Sequence, residues 1–217
     1  MQAQISRLLK VIPVIALLGG FLLALHYVLH LVYGVQTGKI LWEAMESPLG
    51  KADGSVFSAA FAIIDLALIF MIVAHLKSLK NLKYVALFFG VVAFLAASTG
   101  FCVFTFAGKM IPFLMPVACL SMFISAILLG ITGILSKVFP AWVRYAMIGF
   151  GVFTAPLGWL LPKFVGAIPM YVLFELHFFP MGILWMCIGT AFYLKNRRSQ
   201  LESTSRLEAL YPKTALK

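Results

Sequence analysis

Six histidine and carboxylate side chains stand inside stretches that are otherwise apolar, and they are where this chain could do chemistry. His26 and His30 are four residues apart. On a helix they project from one face, and two imidazoles so placed can share a metal ion or flank a proton path. Asp65 lies midway along a second apolar run, His75 at the end of that run, and Glu175 and His177 in the last one, with Pro180 close behind. An ionisable group at membrane depth costs roughly 2.5–3.5 kcal/mol on insertion scales, so each needs a partner, a cavity or a task. Glu175 and His177 turn roughly 200° away from each other on an ideal helix. Unless the missing donor of Pro180 distorts that helix, one of them faces the histidines of the first helix and the other a different neighbour.

Several chemistries fit this set. His26, His30 and Asp65 with Glu175 or His177 give neutral imidazoles plus carboxylate, a nitrogen and oxygen set suited to zinc or iron. A haem would take axial imidazoles from facing helices, such as His26 or His30 with His177. A proton relay would run from Glu175 and His30 through His26 to Asp65, with His75 beyond. An acid and a base beside Trp159, Trp185, Phe174, Phe178 and Phe179 could act on a lipid, although Ser98 and Thr99 are the only hydroxyls at that depth and no HExxH signature is present. The same groups could also simply hydrogen-bond one another and fix helix register.

The elements that must position these residues are membrane spans. The chain has 217 residues, 63% of them hydrophobic and 11% charged, with a mean hydropathy of +1.03. A soluble domain is about 45–50% apolar and about 25% charged, so a soluble globular protein is excluded. Six runs reach the roughly 20 apolar residues that a spanning helix needs. They cover residues 11–33, 56–76, 84–106, 111–135, 143–161 and 171–194. The expected fold is an all-α integral membrane bundle of six transmembrane helices, with a membrane domain over residues 1–194 and a basic tail over 195–217. The apolar run behind Arg7 and Lys10 continues without a small-x-small cleavage site and reads as a retained first span, not a signal peptide.

Net charge is +10, and 13 of the 17 Lys and Arg residues fall in alternate connections and at the two ends. That distribution predicts cytoplasmic termini and sets topology; it is not a nucleic-acid footprint. The connection over residues 34–55 is then external and carries Glu43, Glu46 and Asp53, with Trp42 on a short interfacial stretch that Pro48 and Gly50 end. A solvated lid is the expectation there. On this layout His26 and His30 lie about 6 and 12 Å into the outer half, and Glu175 and His177 roughly 8–10 Å into the same half. Small residues spaced along the fourth helix (Ser121, Ser125, Ala126, Gly130, Gly133) and the pair Ala96 and Gly100 in the third predict close helix packing. Cys102, Cys119 and Cys187 form no CxxC and read as buried thiols.

No Asn-x-Ser/Thr sequon is present, and the layout is similar to that of small bacterial inner-membrane proteins, so a multi-pass place in such a membrane is expected. The leading functional expectation is a small transport or permeation protein whose outer-half His and carboxylate cluster binds a proton or a metal ion, zinc or iron, within the lipid bilayer. The alternatives are an intramembrane enzyme acting on a lipid or quinone-like substrate, and a non-catalytic accessory subunit with no cofactor.

Overall fold

The computed structural model describes residues 2–109, 111–152, 168–173 and 176–210. Among them the chain is all-α: α1 (Gln2–Thr37), a 3-10 turn (Leu41–Ala44), α2 (Pro48–Ala74), α3 (Lys83–Ala107), α4 (Leu114–Ser136), α5 (Ala141–Val152), a short α6 (Met170–Leu173) and α7 (Phe178–Leu210). Five stretches are long and apolar enough to cross a membrane: those of α1 to α4, and residues Met170–Arg198. This is a polytopic helical membrane protein. Of the expected span over residues 143–161, the part through Val152 is helical and the rest lies outside the described residues, as do Trp159, Phe174 and Glu175.

Consecutive helices pack antiparallel, so the chain winds up and down through α1, α2, α3, α4 and α5. α7 returns beside α1, and Phe150 of α5 meets Trp185 of α7 with ring centroids 5.7 Å apart, which closes the ring of helices. Lipid is as apolar as the side chains, so close backbone approach has to hold such helices together. The α1 and α7 backbones come close together: a Cβ added to Gly20 would stand 2.5 Å from the Gly182 carbonyl oxygen, and one added to Gly182 would stand 2.5 Å from that of Gly20. The small residues of α4 serve two neighbours. Ser125 Oγ donates to the Ala86 carbonyl of α3 (2.8 Å), while Gly130 abuts the backbone of Arg144 on α5.

Two boundaries differ from the sequence expectation, and both bear on the site. α2 begins at Pro48, eight residues before residue 56, because Ser47 caps it: Ser47 Oγ accepts from the Gly50 N–H at 3.0 Å, and Pro48 occupies the first helical position, where its missing N–H costs nothing. Pro48 therefore starts a helix instead of breaking a loop, and Asp53, expected on an external lid, lies inside α2. The last span is interrupted. α6 ends at Leu173, residues 176 and 177 form a turn, and α7 starts at Phe178, so Pro180 sits in its first turn, where the absent donor is again harmless. α7 then runs unbroken to Leu210.

Candidate metal centre

The residues that converge are His26 and His30 of α1 and Asp53 of α2, all buried, each offering a donor atom within 4.8 Å of the others. Helical spacing puts the two imidazoles on one face of α1, with ring centroids 6.0 Å apart. The early start of α2 brings Asp53 opposite them, and the His26 Nδ1–H donates to Asp53 Oδ1 at 2.8 Å. A metal bound between this imidazole nitrogen and the carboxylate would take the place of the proton they share. His30 is held from another direction: the Leu41 backbone N–H donates to its Nε2 at 3.2 Å. The 3-10 turn is thus tied to the site through the lone pair that a metal would use.

Aromatic rings wall the site. Phe57 lies 4.4 Å from the His26 ring by centroids, and Phe178, the first residue of α7, lies 5.0 Å from Phe57 and 6.0 Å from His26. Trp42 of the 3-10 turn closes over Phe57 at 5.9 Å. Tyr27 reaches across to the interrupted span, its hydroxyl donating to the Val172 carbonyl of α6 at 3.2 Å. The break in the last span therefore abuts the histidine site. An ion with bonds of about 2.1 Å holds its donors roughly 3.4 Å apart, so side-chain rotations of about an ångström would gather this set around one metal. Two imidazoles and a carboxylate leave a position open for a further ligand or an incoming ion.

Of the other expected site residues, Glu175 lies outside the described residues, and Asp65 and His177 are not part of this group. Asp65 is twelve residues further along α2 than Asp53, about 18 Å at helical rise, and does not join the group. It is fully buried, and neither carboxyl oxygen has a hydrogen-bond partner among the described residues. The indole N–H of Trp185 is likewise buried without such a partner. It sits at the same level as Asp65, since Gly19 packs on Ile64 and Gly20 on Trp185. His177 is on the turn before α7, half-buried, its ring 4.0 Å from that of Phe178. His75 lies just beyond the end of α2 at the opposite end of the bundle, where its Nδ1–H donates to the Met71 carbonyl at 2.9 Å. Burial holds its imidazole below the ordinary value of 6.5; the Met71 hydrogen bond opposes this and the Lys195 charge adds to it.

Asp53 is the site residue that sequence reasoning missed. The Ser47-Pro48 pair was the signal, an N-cap followed by proline at the first helical position. No protein-family model, curated protein or solved structure matches the chain.

Proposed function

We propose that this protein moves a first-row transition metal ion across the membrane, taking it up at His26, His30 and Asp53 and passing it inward by way of Asp65. The observation that carries this reading is the buried convergence of two imidazoles and a carboxylate beside an interrupted membrane helix. Non-helical backbone at membrane depth is tolerated where it lines a protein-enclosed or aqueous site, and transporters build ion sites from such breaks. His177, on the interrupting turn, and Glu175, two residues before it in sequence, are the candidates for the fourth ligand.

Asp65 supports transport over storage. It is a fully buried carboxyl with no hydrogen-bond partner among the described residues, and intramembrane acids of this kind mark ion pathways. The order Asp53, Asp65, His75 along one helix spaces polar groups about 18 and 15 Å apart from the site to the far end of the bundle. The Lys and Arg distribution orients the site toward the external face of a bacterial inner membrane, with both termini cytoplasmic.

Proteoliposomes loaded with a fluorescent metal indicator test the reading. The wild-type protein should admit zinc or ferrous iron, and both Asp65→Asn and the double variant His26→Ala, His30→Ala should lose the flux while remaining monodisperse in detergent. Undiminished flux in both variants would refute the pathway.

A further inference from the structure

Next to the histidine site lies a second feature that the transport reading does not use. A small recess of about 20 Å³ opens between the 3-10 turn, α2, α3 and α4, and its lining includes Trp42, Met45, Gly54, Ser58, Gly100 and Met115. Two of these side chains are thioethers, Met45 from the end of the 3-10 turn and Met115 from α4. Met45 is half-buried at the end of the 3-10 turn, and its methyl lies 3.1 Å from where a Cβ on Gly54 would stand. Met115, in the first turn of α4, is buried, and its Sδ accepts a hydrogen bond from Ser58 Oγ at 3.8 Å. The lack of a side chain at Gly54 lets the Phe104 ring pack against α2, where an added Cβ would stand 2.5 Å from it, and Gly100 faces Met115 Sδ, 3.7 Å from where its Cβ would stand.

The recess and the histidine site share their partition. Gly54 follows Asp53 directly, and Trp42, which lines the recess, stacks on Phe57, which in turn packs on His26. An ion in the recess is therefore one aromatic layer from the imidazoles. Hard cations such as Mg²⁺ and Ca²⁺ ignore thioethers, zinc prefers nitrogen, oxygen and thiolate, and the common first-row ion that accepts both thioether sulfur and imidazole nitrogen is copper(I).

Resting on the metal-transport reading, we propose that this recess is a copper(I) entry site in which Met45 and Met115 hold the ion by their sulfurs before it passes to His26 and His30. The transfer is ligand exchange only: two Cu–S bonds give way to Cu–N bonds, the copper stays monovalent, and no electron donor or acceptor is required. Taking the lone pair of His30 Nε2 also removes the acceptor of the Leu41 N–H, so occupation of the inner site frees the 3-10 turn that carries Trp42.

The test uses the full-length protein in detergent, with copper(I) buffered by a chromophoric chelator, zinc as the comparison ion, and X-ray absorption at the copper edge to read sulfur ligation. The wild-type protein should bind copper(I) with a Cu–S shell. The volume-conserving double variant Met45→Leu, Met115→Leu should lose that shell and weaken copper(I) binding about tenfold or more, with zinc binding unchanged. Met45→Leu alone, on the half-buried turn, should halve the sulfur count and keeps the test informative if the double variant misfolds. The His26→Ala, His30→Ala variant should lose zinc and keep the Cu–S shell. Copper(I) bound without sulfur ligation, or unaffected by the leucine variants, overturns the entry site and leaves the histidine centre standing. Binding of neither ion by the wild-type protein overturns both.

Discussion

At the scale of single residues, the polar groups of this protein divide by whether they are answered. His26 and Asp53 are tied to each other and His30 accepts from the Leu41 backbone, so these bonds offset part of the cost of burying them. Asp65 has no hydrogen-bond partner among the described residues, and a group that only fixed helix register would be expected to have found one. Replacing an uncompensated buried carboxyl by an apolar side chain of similar size relieves its desolvation cost. Asp65→Leu should therefore raise the melting temperature in detergent by a few degrees while abolishing metal flux. A lower melting temperature for Asp65→Leu would assign Asp65 a structural role and remove it from the path. His26 and His30 were legible because a four-residue spacing survives any error in helix ends. Asp53 was not, because its part in the site depends on where α2 begins, and the capping pair Ser47 and Pro48 sits in a stretch whose glycines and proline also suit a loop.

At the scale of elements, the site depends on α1 being pinned between α2 and α7. Gly20 and Gly182 let the α1 and α7 backbones touch, which sets the height of Phe178 against His26. Gly182→Val should cost about 1–3 kcal/mol by overpacking and weaken metal binding at a site roughly 9 Å away along α1. Gly149→Val, where an added Cβ meets nothing within 4 Å, is the matched control and should change neither. Equal behaviour of the two variants would show that the close approach does not position the site. Five of the six expected spans were readable from apolar length, since a bilayer sets the minimum for every helix. The interruption before Phe178 was not. Pro180 marked the neighbourhood, but proline is equally at home in a first turn or a kink, and only the packing of Tyr27 and Phe178 on either side shows which applies.

At the scale of the whole molecule, an up-and-down bundle places the histidine centre at the end where α1 meets α2 and His75 at the other, with Asp65 between. The Lys and Arg distribution predicts a direction for that axis. A reporter enzyme that works only in the cytoplasm, fused after Lys217, should be active, and one that works only outside should be silent. The reverse pattern would turn the proposed uptake path into an export path without altering its residues. The central claim, that His26, His30 and Asp53 are a ligand set, is tested most directly by elemental analysis of iron, zinc, copper and manganese in the purified wild-type protein beside the His26→Ala, His30→Ala variant. One metal ion held by the wild-type protein and lost by the variant is the predicted result, and equal metal content in the two, or none in either, would contradict it.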